Sequence, residues 1–320
     1  MARGARRGSD VISLALTRAV EVTVPALPEA LDRPLSEILG TVAFVAAPRA
    51  RAAVRANLAV VGHPRHARRV FVAQARHYLE TFRILRLSPE RLLSMIEVEG
   101  WTNFTQAQAR GTGVVLASAH LGPVVLCGQM LAARGLDVAV LVETKSDPFG
   151  RLIDRARGAM GIRTIETRSA VGIGRTLKRG GVLGFLADRA LTGTGERVSF
   201  FGRETLLPSG HVAVALRTRA ALVPGFASRE HGRLIARIEP EIELERTGDR
   251  DADVREGVRR WAAVLERHVA RSPEQWSVFE RVWDRAVPPG SADRGAEANA
   301  EATRSSTRAR ARGLPERGSE

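Results

Sequence analysis

A single cysteine, Cys127, stands in 320 residues, so the chain can form no internal disulfide and no thiolate zinc cluster. Reduced surroundings such as the cytoplasm suit that composition. Long hydrophobic runs are missing too. The longest clean one near the start, Ile38 to Ala47, is closed off by Glu37 and Arg49. A spanning helix needs about 20 apolar residues, so membrane contact is expected to be peripheral. The opening Met-Ala-Arg-Gly-Ala-Arg-Arg has the basic look of a secretory signal, but Asp10, Arg18 and Glu21 interrupt the stretch that follows. Acidic residues are short, 35 against 49 basic ones, which leaves a formal charge of +14. That excess suits an anionic membrane face, an acidic protein or nucleic acid, or simply reflects an Ala/Arg-rich composition. No helix-turn-helix, zinc or aromatic RNA-binding signature accompanies the charge, so no nucleic-acid partner is expected. No internal repeat is visible. Past about residue 286 large apolar residues are nearly absent, and residues 286–320 are expected to be a disordered tail.

What is present divides the chain into two patterns. Residues 9–62 read as short amphipathic helices broken by Pro25, Pro28, Pro34 and Pro48, and residues 1–62 are expected to form a membrane-facing helical region. Residues 65–86 read as a stronger helix with Phe71, Ala75, Tyr78 and Phe82 on one face. Arg68, Arg69, Arg76 and His77 lie off that stripe. A core-facing stripe with a solvated basic face is favoured, and a helix resting on lipid headgroups is the alternative. From residue 112 apolar runs alternate with helix-like stretches. Gly113–Ala119, Leu136–Glu143, Ile162–Glu166 and Gly181–Ala187 read as strands, and 123–134, 148–160 and 169–179 as helices. Residues 221–227 and 232–244 read as a hairpin around Glu230-His231-Gly232, and 252–271 as an amphipathic helix. The implied fold is α/β, a largely parallel central sheet covered by helices, over residues 63–285.

In such sheets ligands collect outside the carboxyl ends of the strands. Two polar side chains sit there: His120 after the first apolar run and Asp188 after the fourth. A neutral imidazole can take a proton from an attacking alcohol, provided a carboxylate orients the ring and stabilises the imidazolium. Arg189, next to Asp188, has the forked geometry that binds phosphate oxygens. Phe200-Phe201-Gly202 reads either as the wall of a substrate groove or as a strand entering the core and turning.

Several ordered segments carry a resemblance. They are Gly111-Thr-Gly-Val-Val-Leu-Ala-Ser-Ala-His-Leu-Gly122, Arg157-Gly-Ala-Met-Gly161, Leu186-Ala-Asp-Arg-Ala-Leu-Thr-Gly-Thr-Gly195, Phe200-Phe-Gly202, Pro208-Ser-Gly210 and Ser272-Pro-Glu-Gln-Trp276. Together, over about 40–284, they resemble the bacterial lysophospholipid acyltransferase superfamily, and within it the lauroyl/myristoyl lipid A and phosphatidylinositol mannoside acyltransferases. The resemblance implies transfer of a fatty acyl chain from acyl carrier protein or acyl-CoA to a hydroxyl of a glycolipid or lysophospholipid, with no metal or redox cofactor. It implies an anionic lipid acceptor and a peripheral place on the cytoplasmic face of the inner (plasma) membrane. It points to His120 and Asp188 as catalytic, and to Gly122, Lys145, Arg157, Arg189, Phe200, Phe201 and Gly202 as substrate-binding. Arg157 and Arg189 are expected at the mouth of one groove. One departure stands out. The superfamily signature is His, four residues, then Asp or Glu, and here the acidic place holds Val125. Two readings follow: an enzyme whose histidine works with Asp188 instead, or a non-catalytic lipid-binding relative.

Overall fold

The computed structural model describes residues 20–142, 148–167, 169–190 and 195–283. Two helices near the start, α1 (Asp32–Ala46) and α2 (Pro48–Val60), lean on α3 (Ala67–Arg83). Then come α4 (Pro89–Met95), β1 (Ile96–Glu99), α5 (Trp101–Ala109), β2 (Val114–Ser118), α6 (Val124–Ala133), β3 (Val138–Val142), α7 (Pro148–Gly158), β4 (Arg163–Glu166), α8 (Ala170–Lys178) and β5 (Val182–Leu186). A two-stranded hairpin, β6 (Glu196–Phe200) and β7 (Arg203–Leu207), precedes α9 (Gly210–Thr218), β8 (Ala221–Glu230), β9 (Arg233–Ile238) and α10 (Arg250–Arg271).

Seven strands make the main sheet in the order β1-β9-β8-β2-β5-β3-β4. β8, β2, β5, β3 and β4 are mutually parallel, and β9 runs against β8. The central strands are covered on both faces, which is why they read as unbroken apolar runs. Val115, Ala117 and Leu183 face a core with Trp261, Val258 and Leu265 of α10. Val114, Val138 and Val182 face a second core with Leu126, Met130 and Leu131 of α6 and Phe104 of α5. The chain leaves β2 toward β3 and leaves β5 toward β8, in opposite directions along the sheet. Right-handed crossovers therefore place the following helices on opposite faces, and a crevice opens above β2 and β5.

The helical region departs from the expected pattern in two ways. Pro34 does not break a helix, because it lies in the first turn of α1, where a missing N–H costs nothing. α1 also turns its small residues inward. Ser36 and Gly40 are buried, and a Cβ on Gly40 would stand 2.4 Å from the Val72 Cα of α3, so only glycine allows this crossing. Ile38, Val42 and Val45 point outward at 61%, 60% and 65% exposure. On α3, Phe71 and Phe82 are buried as expected, Tyr78 is exposed, and Leu79 and Val70 complete the inner face. Sequence patterning also missed β1, α4, α5, β7 and α9, and had β6 only as an alternative. Among the described residues no helix is long and apolar enough to cross a membrane. The stretch 286–320, expected to be disordered, lies outside the described residues, as does Lys145.

Candidate active site

β2 and β5 are neighbours in register, Ser118 opposite Leu186, and Ala187 N–H donates to Ser118 O across 2.8 Å. His120 and Asp188 each lie two residues beyond those strand ends, so the pairing itself sets them side by side at the rim. His120 Nδ1 is 2.7 Å from Asp188 Oδ1, and His120 N–H donates to Asp188 Oδ2 at 3.0 Å. The same Oδ2 accepts the indole N–H of Trp276, also at 3.0 Å. Asp188 has no exposed surface. Burial works to push its carboxyl up, but the charge and hydrogen bonds of His120 and the Trp276 indole outweigh it and hold the group below its ordinary range. An ionised carboxylate only accepts, so Nδ1 of His120 carries a proton, and in the neutral form of the ring Nε2 is the basic nitrogen. The His120 side chain keeps 24% of its surface exposed.

The loop that carries His120 is locked from both sides. His120 O accepts from Ser277 N–H at 2.7 Å, and Gly122 N–H donates to Gln275 O at 3.0 Å, a short antiparallel bridge to the segment after α10. Gly122 adopts φ +58°, and a Cβ there would meet Ala227 O at 2.5 Å. That close approach of two backbones is its evident reason for being glycine. On the Asp188 side, Trp261 of α10 donates its indole N–H to Ala187 O at 2.9 Å. Gln275 extends the lock, its side chain pairing both backbone groups of Arg229 in β8.

Near this pair, which is not itself in the wall, a largely apolar chamber of about 140 Å³ opens between α6 and the sheet, with Arg157 and Arg237 among its lining. Its upper wall includes Ser118 and Leu186, the last residues of β2 and β5, with Val124 and Val125. Leu116, Val140, Gly184 and Gly128 line its middle, and Val138, Ile162 and Leu131 its depth. Arg157 stands in the wall and pairs with Asp154 at 2.9 Å. Buried Gln129 of α6 fixes the end of α7 near Arg157: it donates to Ala156 O at 2.9 Å and to Arg157 O, and accepts from Met160 N–H at 3.1 Å.

The other expected substrate residues fall elsewhere. Arg189 pairs with Glu280 at 3.3 Å, has a buried Nε without a partner among the described residues, and is not part of the chamber wall. Phe200 has no exposure at all; it stacks on Trp283 at 5.6 Å and meets Trp276 edge-on at 6.0 Å. It is a core residue, because the β6–β7 hairpin folds its apolar side down under the rim. Phe201 and Gly202 form the two-residue turn of that hairpin, both at positive φ, and do not reach the chamber. Of these aromatics the sequence alternative of a strand entering the core and turning is the one seen.

Sequence reasoning also passed over residues that the site uses. Trp276 was visible only as the end of Pro273-Glu-Gln-Trp276, with no hint that its indole holds Asp188. His77, expected on a solvated face, has a buried Nδ1 without a partner among the described residues. Burial first, then the charge of His120 when protonated and that of Arg157, push its imidazole down to about 4, so it is neutral at pH 7. Among the described residues no cluster of three or more His, Cys, Asp or Glu could hold a metal ion.

The comparisons with known proteins point the same way as this geometry. The family model described as bacterial lipid A biosynthesis acyltransferase matches residues 9–285. The chain is 28% identical over 243 residues to a phosphatidylinositol mannoside acyltransferase of Mycolicibacterium smegmatis, covering 72% of this chain and 78% of that one. It is 27% identical over 217 residues to the protein of the same name in Mycobacterium tuberculosis, 65% of this chain and 67% of that one. With every described residue inside the family model, the chain is an acyltransferase and belongs to the bacterial lipid A biosynthesis acyltransferase family.

Proposed function

We propose that the protein moves a fatty acyl chain from a thioester, acyl-CoA or acyl carrier protein, to a hydroxyl of an anionic glycolipid or lysophospholipid at a membrane surface. One observation carries the reading: a histidine whose Nδ1 is held by a buried, ionised aspartate, with no partner on Nε2 among the described residues, near a chamber lined mostly by apolar side chains. Nε2 of His120 takes the proton of the acceptor hydroxyl as its oxygen attacks the thioester carbonyl. The new C–O bond forms, the C–S bond breaks, and the imidazolium returns the proton to the departing thiolate. Asp188 keeps the ring in the right tautomer and stabilises the transient positive charge. The thioester is already activated, so the step needs no other co-reactant. The acyl chain lies in the chamber, and the cationic Arg157 in its wall suits a phosphate of donor or acceptor. The relatives named for phosphatidylinositol mannosides favour a glycolipid acceptor.

The outward apolar stripe of α1 supports a place on the bilayer. Ile38, Val42 and Val45 are spaced to share one face, and Arg49 is exposed at its end. On this reading the protein is peripheral, on the leaflet where cytoplasmic thioesters are supplied. The test is incubation of purified full-length protein with labelled acyl-CoA or acyl carrier protein and glycolipid or lysophospholipid acceptors, beside lipid mass spectrometry of cells with and without the gene. An acylated product in vitro and its loss in the cells support the reading. Binding of lysolipid with no transfer from any donor would establish the non-catalytic alternative that Val125 raised.

A further inference from the structure

The segment after α10, residues 272–277, touches both members of the catalytic pair. Its one turn of regular structure is Pro273–Gln275, and a single bridge, Leu121 to Trp276, joins it to the His120 loop. Ser277 N–H donates to His120 O at 2.7 Å, and Gln275 O accepts from Gly122 N–H at 3.0 Å. The Trp276 indole donates to Asp188 Oδ2 at 3.0 Å. A shift of this segment therefore moves the imidazole ring and the carboxylate together. An independent fixing point is the side chain of Gln275, which is buried. Its Oε1 accepts from Arg229 N–H at 2.8 Å and its Nε2 donates to Arg229 O at 2.9 Å. A free strand edge makes that grip available. β2 pairs with β8 only as far as Ala117 opposite Pro224, while β8 runs on to Glu230 along β9. Beyond Pro224 the edge of β8 that faced β2 is left to other partners. At Arg229 the amide of Gln275, with its acceptor and donor ends, takes the place of a neighbouring strand. Arg229 is anchored in turn. Its guanidinium donates to Gly232 O at 2.7 Å and to Glu80 Oε1 of α3. Glu80 is buried, and the same oxygen accepts from Arg76 Nε at 3.0 Å.

We propose that Gln275 is a positioning residue of the acyl-transfer site: its amide fixes the segment that aligns His120 on Asp188, and the Arg229–Glu80 ion pair anchors that amide to α3. The inference rests on the acyl-transfer reading for its kinetic consequence, but the alignment itself can be observed without substrate. Gln275 lines no part of the chamber, so its loss slows the step without weakening binding. Reaction rate depends steeply on such alignment, and a displacement of about 1 Å can cost about a hundredfold.

The test uses full-length protein. Gln275→Leu keeps the bulk of the side chain and removes both of its hydrogen bonds. Trp276 stays packed against Phe200 and Trp283, so the variant is expected to fold. Single-turnover transfer at saturating acyl thioester and lipid acceptor is expected to fall about 30- to 100-fold, with half-saturating concentrations within about threefold of wild type. Without substrate, proton NMR should show the Trp276 indole N–H and the His120 Nδ1–H moving upfield as their bonds to Asp188 lengthen. A loss of stability alone moves neither signal at temperatures where the variant is folded. Arg229→Met keeps the backbone grip and cuts the tie to Glu80, so smaller changes of the same sign are expected. Glu80→Gln, whose amide oxygen still accepts from Arg229, is expected to stay close to wild type. A folded Gln275→Leu that transfers within about threefold of wild type, or that leaves both signals in place, would overturn the proposal. If Gln275→Leu does not fold, the same two criteria applied to Arg229→Met decide. Shifted signals in a protein whose wild type transfers no acyl chain would uphold the alignment and refute the transfer reading separately.

Discussion

Replacing Asp188 by asparagine keeps the shape of the side chain and changes only which of its atoms donate. The native carboxylate faces three N–H donors: the backbone N–H and Nδ1–H of His120, and the indole of Trp276. An amide can accept at only one of its two ends. If its NH2 points to the Oδ2 place, it confronts two fixed donors, the backbone and the indole. If it points to the Oδ1 place, it confronts only the His120 ring, which can answer by moving its proton from Nδ1 to Nε2. The second arrangement leaves fewer buried donors unpaired, each worth about 1–3 kcal/mol, so the amide should settle there. His120 is then held with Nε2 protonated, the wrong tautomer for a base. The same exchange in a Ser-His-Asp triad lowers kcat by about 10,000-fold. Here a loss of about 1,000- to 10,000-fold is expected in single-turnover acyl transfer, or about 4–5.5 kcal/mol at about 1.36 kcal/mol per tenfold. Nitrogen NMR of the labelled imidazole should show Nδ1 protonated in wild type and Nε2 protonated in Asp188→Asn. Transfer by the folded variant within tenfold of wild type, or an unchanged tautomer, would refute the argument.

Further outcomes are expected away from the dyad. His211 of α9 is fully buried, bonds nothing among the described residues and is pushed by burial down to about 3, so the native state stays unprotonated where the unfolded chain takes up a proton. Its effect on stability is absent above about pH 6.5 and grows as pH falls from there toward about 3; denaturant titrations of His211→Leu should show a flatter loss over that window, and identical slopes would count against it. Asn57 of α2 is buried and bonds the backbone of Val278, Glu280 and Val282, so Asn57→Leu should cost about 2–4 kcal/mol by urea unfolding and loosen the segment that carries Trp276 and Trp283. Ile38→Glu with Val42→Glu should cut binding to anionic vesicles more than tenfold with little change in melting temperature, because both side chains are more than half exposed.

How much of this was legible beforehand depended on whether a feature was local. The four runs predicted as strands are the parallel strands β2, β3, β4 and β5; burial on both faces leaves an uninterrupted apolar signal in the inner ones, while the edge strand β4, with only Ile165 buried, gave the weakest run. His120 and Asp188 could be placed at one rim because each follows a strand end, and the equal offset from paired residues brings them into contact. The short strands β1 and β7 carry Glu97, Glu99, Arg203 and Glu204 on outward positions, which hid them among loops. The partners of the site were beyond reach for a different reason. Trp276 meets Asp188, Gln129 meets Arg157, and Asn57 meets Val282 across separations that only the finished fold defines. Arg189, a residue type suited to phosphate and next to a catalytic candidate, gave no sign in the sequence of its pairing with Glu280.

The central claim is that Nε2 of His120 is the base for acyl transfer. It is tested most directly by single-turnover transfer from labelled acyl-CoA or acyl carrier protein to the lipid acceptor, comparing wild type with His120→Ala after circular dichroism has shown both to be folded. The account predicts a loss of at least about 1,000-fold in the variant with the chamber still binding palmitate. Equal transfer by wild type and His120→Ala would contradict it.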